Sequence, residues 1–273
     1  MSLALKGTLV LVGAGKMGGA MLEGWLNSGA DPKKIVVLDP FVSGEMKAML
    51  ARHKVSLNPA IAGIKNAEVV LIAVKPQMME EVLPTIGGLG SSKPLILSVV
   101  AGKTIASFER HFGKSAAIIR TIPNTPASIG RGITAMSPNA NVSAAQMKLA
   151  TELLSAIGEV VTVDREELID SVTAVSGSGP AYVFYLTECL AAAAEKVGLP
   201  PALAMQLARA TVAGAGELMR VTGTDAATLR QNVTSPNGTT HAALQVLMAE
   251  DGLQPLFEKV VKAAADRSRE LAS

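Results

Sequence analysis

Short apolar runs recur through the first half of the chain, each closed by a polar or glycine-containing break and followed by residues at helical spacing. Candidate strands are Thr8–Val12, Ile35–Asp39, Val55–Leu57, Val69–Val74, Leu95–Val100 and Ala116–Thr121. Helices fit between them, for example Met17–Ser28 and Ser43–His53. Strands that are apolar almost throughout are covered on both faces, so their alternation with helices predicts a doubly wound parallel sheet. A weaker pair, Gly132–Met136 and Glu159–Val163, extends that sheet with Ser143–Ile157 as the helix between.

From Asp164 onward the period is helical. Glu166–Val197 is a long Ala-rich stretch interrupted only by Ser176-Gly177-Ser178-Gly179-Pro180. Gly198 is placed to end it, and Pro200-Pro201 to begin the next helix. Leu203–Val221 and His241–Leu271 are also helical, joined by the polar loop Thr222–Gly238, and Ala213-Gly214-Ala215-Gly216 suits close helix packing. The expected fold class is α/β: an N-terminal Rossmann-type doubly wound sheet over residues 1–163, then an all-α C-terminal dimerisation domain over 164–273.

Composition sharpens this picture. The chain of 273 residues is 49% hydrophobic and only 18% charged, against about 25% in typical domains. Such a chain has apolar surface to bury in subunit contacts as well as in its core. The net charge of +2 comes from scattered Lys and Arg, so no nucleic-acid stripe is visible. No apolar run reaches the ~18–20 residues needed to span a bilayer. The N-terminal apolar segment lacks a basic region and is interrupted by glycines, so it reads as strand rather than signal peptide; no membrane partner and a cytoplasmic location are expected. Cys189 is the single cysteine, which excludes an internal disulfide, and its setting FYLTECLAAAA reads as a small core position. His53, His111 and His241 have no metal-ligand spacing, so no metal is expected. No nucleophile elbow or Ser-His-Asp signature is present.

The chemistry lies at the strand ends. LVLVGAGKMGGAM breaks an apolar run at Gly13-x-Gly15-x-x-Gly18 and continues as a helix, the order of a dinucleotide-binding βαβ unit. Free N–H groups and the positive dipole end of that helix suit a pyrophosphate. Asp39 closes the second strand about twenty residues later, where an acidic side chain accepts from the adenosine ribose and repels a 2′-phosphate. That favours NAD(H) over NADP(H), unless Lys47 or Arg52 offsets the repulsion; a turn or cap in Asp39-Pro40 is the plainer alternative. Ala73-Val74-Lys75-Pro76 and Val100-Ala101-Gly102 end further strands at the same sheet edge, as sites or as ordinary strand exits. Arg120-Thr121-Ile122-Pro123-Asn124-Thr125-Pro126 is a rigid polar loop, either a site wall or a structural turn. Ser235-Pro236-Asn237-Gly238-Thr239-Thr240 opens a helix whose start suits a carboxylate, although capping alone would explain its Ser and Thr residues.

VGAGKMGGAM, LIAVKPQ, RTIPNTPASIGRG, AVSGSGPAYVF and NVTSPNGTTHAAL together resemble the pyrroline-5-carboxylate reductase family over nearly the whole chain. The first two are shared with other β-hydroxyacid dehydrogenase-like reductases, and the last is the most specific. The resemblance implies NAD(P)H-dependent reduction of 1-pyrroline-5-carboxylate to L-proline. It implies a carboxylate on Thr239 and Thr240, with Gly238 opening that site, and the Thr240 hydroxyl on the ring nitrogen as the catalytic contact. It assigns Val12, Gly13, Ala14, Gly15, Lys16 and Met17 to the dinucleotide, with Ala73, Val74, Lys75, Pro76, Ala101 and Asn232; the glycine motif adds Gly18 and the strand-end reading adds Asp39. It implies a homodimer, with dimers assembled into decamers. Asp39 stands where many members carry a small or basic residue suited to NADPH, so the implied cofactor is NADP(H) or NAD(H). Asn237 replaces the first glycine of the common SPGG, and His241 a usually aliphatic residue. The competing readings are an imine or β-hydroxyacid-type reductase of another substrate, and a non-catalytic dinucleotide-sensing protein. No lysine stands between Ser176 and Tyr182, which counts against the hydroxyacid version.

Overall fold

A computed structural model describes residues 3–272. Met1, Ser2 and Ser273, the outermost residues of the two expected domains, lie outside the described residues. The strands are β1 (Thr8–Val12), β2 (Ile35–Leu38), β3 (Ser56–Leu57), β4 (Ala67–Ile72), β5 (Leu95–Ser98), β6 (Ile118–Ile122), β7 (Gly132–Pro138) and β8 (Gly158–Thr162). They form one sheet in the order β3-β2-β1-β4-β5-β6-β7-β8. Neighbours are parallel except β6 and β7, which run antiparallel. The order reverses between β1 and β4, and ligands bind outside the carboxyl ends of strands at such a switch point. The weak pair expected at 132–136 and 159–163 joins the sheet as β7 and β8.

Helices α1 (Lys16–Asn27), α2 (Gly44–His53), α3 (Met79–Ile86), α4 (Ile105–Phe112), α5 (Ala144–Ser155) and α6 (Leu168–Val172) connect and follow the strands. Alternation along β1 divides the core. Leu9 and Leu11 join Trp25, Leu50 and Leu153 in one buried cluster, while Val10 and Val12 join Met79, Leu83 and Phe108 in the other. The indole of Trp25 is fully buried and donates to the Leu153 carbonyl at 2.8 Å, tying α1 to α5 without stranding a polar atom. Ser43 and Ser143 cap α2 and α5, which is why both helices begin where the sequence predicts.

By compactness the chain divides into residues 1–177 with 265–273, and residues 178–264. Composition changes at Asp164, but α6 and the π-turn Thr173–Gly177 still belong to the first unit. The second unit holds α7 (Gly179–Lys196), α8 (Pro201–Thr222), α9 (Ala226–Asn232), α10 (Thr239–Leu247) and most of α11 (Leu253–Ala272). Gly198 ends α7 with φ +102°, and Pro200-Pro201 opens α8 as expected. Within this unit Tyr182 meets Phe257 edge-on, with ring centroids 6.4 Å apart.

Three expectations are corrected here. The polar loop Thr222–Gly238 contains α9, because Asp225 accepts from the Thr228 N–H and caps a short helix. His241–Leu271 is two helices rather than one. They part at Gly252, where a β-carbon would stand 2.5 Å from the Leu247 carbonyl oxygen. Cys189 is exposed, not core. Many small and apolar residues of α7 and α8 are exposed in the single chain, Phe184 61% and Tyr185 67%, while Ala191, Ala204 and Ala208 are buried. Exposed apolar area of this kind marks a protein interface.

Candidate functional site

The β1–α1 turn rests on two glycines, Gly13 and Gly18, that no other residue replaces cheaply. Gly13 has φ +91°, and a β-carbon there would lie 2.9 Å from the Ala73 carbonyl carbon of the chain leaving β4. A β-carbon on Gly18 would lie 2.1 Å from the Gly13 carbonyl oxygen. Gly15 differs: its position opens onto free space, so a ligand can approach the backbone there. Gly15 is also the N-cap of α1, with no side-chain cap and no acidic residue in the first turn. The helix start therefore keeps unpaired N–H donors, the setting in which a pyrophosphate binds.

Asp39 follows β2 and fastens this turn. Its Oδ2 accepts from the Ala14 N–H and its Oδ1 from the Phe41 N–H, both at 2.8 Å. Its main chain is bracketed by Asn58, whose Oδ1 accepts from the Asp39 N–H while Nδ2 donates to the Asp39 carbonyl, again at 2.8 Å each. The plainer turn-and-cap role is thus present. It does not exhaust the carboxylate, since each oxygen keeps a further lone pair.

Beside the turn lies a groove of about 870 Å³. Of the residues expected at the dinucleotide, Val12, Gly13, Gly15, Asp39, Ala73, Val74 and Lys75 line it. Ala14 is buried behind it through its bond to Asp39, while Lys16, Met17 and Gly18 form the start of α1. Pro76 opens a 3-10 turn, and Ala101 is exposed in the turn after β5. Lining residues that the motif reading missed include Phe41, Asn58, Met78, Val82 and Ile86. The last three lie at helical spacing directly after Lys75-Pro76, a signal visible in the sequence.

In the second unit, the segment expected to hold a carboxylate forms the start of α10. Asn237 takes φ +60°, the left-handed conformation that its family counterpart glycine adopts freely and that Asn tolerates best among side-chain residues. Gly238 is the N-cap, with its N–H on the Ser235 carbonyl at 3.0 Å, and a β-carbon there would come within 3.1 Å of that same oxygen. Among the described residues no side chain caps this helix, so capping does not explain Thr239 and Thr240. The first internal bond runs from the Ala242 N–H to the Gly238 carbonyl. The donors of the first turn, on Thr239, Thr240 and His241, point ahead of the helix. His241 is half-buried, with Nε2 3.3 Å from Gln245 Nε2. Asn232, the remaining expected dinucleotide contact, is the last residue of α9 and is exposed.

Of the expected loop Arg120–Pro126, the first three residues belong to β6 instead, and the bonds made by Arg120 and Asn124 are structural. Asn124 accepts from the Ile133 N–H at 2.9 Å and donates to the Ser176 carbonyl at 3.2 Å. Arg120 is buried and pairs with Glu166 at 3.0 Å, while Glu166 also takes the Ile105 N–H at the start of α4. Among the described residues no group of three His, Cys, Asp or Glu side chains forms a metal cluster, and no helix is long and apolar enough to cross a membrane.

Residues 166–271 match the family model for pyrroline-5-carboxylate reductase dimerisation, and residues 8–102 that for NADP oxidoreductase, coenzyme F420-dependent. Pyrroline-5-carboxylate reductase of Pseudomonas aeruginosa is 38% identical, over 97% of this chain and 96% of its own length. That of a Synechocystis strain is 40% identical over 96% and 97%. Among solved structures, a pyrroline-5-carboxylate reductase from Coxiella burnetii superposes with a TM-score of 0.92 at 35% identity, covering 98% of this chain and all of that one. The Plasmodium falciparum pyrroline carboxylate reductase with NADP bound gives 0.81 at 26% identity, covering 98% and 99%.

Proposed function

The chain belongs to the pyrroline-5-carboxylate reductase family, and on that premise we propose that it reduces 1-pyrroline-5-carboxylate to L-proline with NADH or NADPH. The observation that carries the reading is the uncapped start of α10, where Gly238 leaves backbone donors and the two threonine hydroxyls available. The N–H groups of Thr239 and Thr240 hold the substrate carboxylate, and the Thr240 hydroxyl meets the ring nitrogen. Gly238 keeps that approach open.

The glycine turn fits a dinucleotide because Gly15 gives onto free space while Gly13 and Gly18 pack against backbone. Val12 to Gly18 hold the pyrophosphate. Ala73, Val74, Lys75, Pro76 and Ala101 flank the dinucleotide, Asp39 takes its adenosine ribose, and Asn232 adds a contact from α9. When bound, the reduced nicotinamide supplies the hydride that reaches the C=N carbon. The nitrogen gains a proton, and an imine is basic enough to take one near neutral pH without a strong acid beside it. Catalysis by this chain is therefore orientation by fixed donors.

The protein is a homo-oligomer through its dimerisation region. We assign a homodimer joined through the outward faces of α7 and α8, with dimers building a decamer, in the cytoplasm. Sedimentation would count the subunits. The function itself is tested by following nucleotide oxidation with pyrroline-5-carboxylate and NADH or NADPH, and by identifying proline as product. Absence of substrate-dependent oxidation with either nucleotide overturns it.

A further inference from the structure

We propose that the adenosine end of the groove selects NADH over NADPH, with Asp39 excluding a 2′-phosphate and Phe41 serving as the adenine platform; this rests on the dinucleotide reading above. Three observations carry it.

The first is immobility. The Asp39 carboxylate is bonded through both oxygens to main-chain N–H groups, and its own main chain is bonded twice to Asn58. A carboxylate held this way cannot swing aside to admit a phosphate. Its remaining lone pairs still accept from ribose hydroxyls. The second is charge. Among the described residues lining the groove, Lys75 is the only basic one, against Asp39 and Glu81. Lys75 leaves β4 beside Ala73, which abuts Gly13, so it belongs with the pyrophosphate turn. The loop Pro40–Gly44 contains no Lys or Arg, and neither Lys47 nor Arg52 lines the groove. The offset that the sequence left open is therefore missing at the groove wall. A 2′-phosphate, carrying between one and two negative charges, would meet a fixed carboxylate with no cation beside it.

The third is Phe41. It lines the groove two residues after Asp39, yet is 83% exposed, with Pro59 and Ile61 on the same lining. An arginine at that place would stack on adenine and also pair with a 2′-phosphate. Phenylalanine offers only the flat apolar face.

The test is equilibrium binding, read by calorimetric titration of the full-length protein. NADH is expected to bind at least about tenfold more tightly than NADPH, a gap of about 1.4 kcal/mol. Adenosine 5′-monophosphate should likewise outbind adenosine 2′,5′-bisphosphate, and both gaps should shrink as salt is raised. Asp39→Asn removes the charge but sets an NH2 group against one of the two N–H donors that the carboxylate accepts, so it should narrow the NADH/NADPH ratio while lowering the melting temperature, and the ratio is the readout. Phe41→Ala should weaken both nucleotides by the same factor, about fivefold or more. NADPH binding to the parent protein as tightly as NADH overturns the selectivity, a comparison that needs no variant to fold. Unchanged affinities in Phe41→Ala remove the platform. Turnover of pyrroline-5-carboxylate with NADPH preferred would leave the catalytic reading standing and sink this one alone, whereas failure to bind either nucleotide would sink both.

Discussion

The glycine turn of the first unit and the start of α10 in the second each present the front of a helix, and they are prepared in opposite ways. The turn has almost no side chains. Two of its glycines, Gly13 and Gly18, are demanded by backbone contact, and Asp39 arrives from another strand and is tied down by main-chain N–H groups. The start of α10 is bounded by Asn237 and Gly238 but carries two threonines whose hydroxyls do not cap it. One site is shaped by absent side chains and the other by side chains held in reserve. It follows that substitutions in the first should damage binding and fold together, whereas substitutions in the second should separate activity from fold.

The sharpest way to break that comparison is Gly18→Ala. The added carbon would sit 2.1 Å from the Gly13 oxygen, so the turn or the helix must shift. Overpacking of this kind typically costs 1–3 kcal/mol. Because the displaced atoms are those proposed to seat the nucleotide, affinity for both nucleotides should fall by about 100-fold, with a lower melting temperature. Calorimetric titration beside a thermal melt reads both, and unchanged affinity would show that the turn is looser than its contacts imply.

Thr240→Ala probes the opposite case. Loss of one preorganised donor typically lowers rate by about 10²–10³. We expect kcat/KM to fall by that order, with nucleotide affinity and melting temperature within about twofold and a degree of the parent. Thr240→Ser should recover most of the loss. A parental kcat/KM in Thr240→Ala would remove the hydroxyl from the mechanism.

How much of this was legible in the sequence follows the same division. β1 was readable to the residue, because Thr8–Val12 is apolar on both faces and ends at a glycine that must turn. Ser43 and Ser143 announced α2 and α5 through local capping chemistry. Asp39 was legible as a strand end, but its bond to Ala14 spans 25 residues and its partnership with Asn58 spans 19. No local pattern encodes such pairs. In the second unit the errors have a common cause. Met248 to Glu250 are good helix formers, so the sequence runs on as helix until Asp251-Gly252, and the close approach of Gly252 to Leu247 is a contact that no local pattern shows. α9 hid because a polar, well-capped helix has no apolar stripe to show. Cys189 read as core because an outward apolar face and an inward one share a sequence pattern.

The smallest effect sharpens the comparison most, because it asks whether the frame of α10 matters apart from its hydroxyls. Asn237 sits at φ +60°, where an ordinary side chain costs roughly 1–2 kcal/mol and asparagine less. Asn237→Ala should therefore destabilise by about 1 kcal/mol. Asn237→Gly relieves the residual strain but gives the unfolded chain more freedom. Those terms oppose, so stability should stay within about 0.5 kcal/mol of the parent, read as a urea midpoint at unchanged slope. Since glycine keeps the same backbone, the donors of Thr239 and Thr240 should stay in place and kcat/KM should hold within about twofold. If Asn237→Gly lost activity while keeping its stability, the asparagine side chain would itself belong to the substrate site, and the start of α10 would no longer be a frame carrying two threonines.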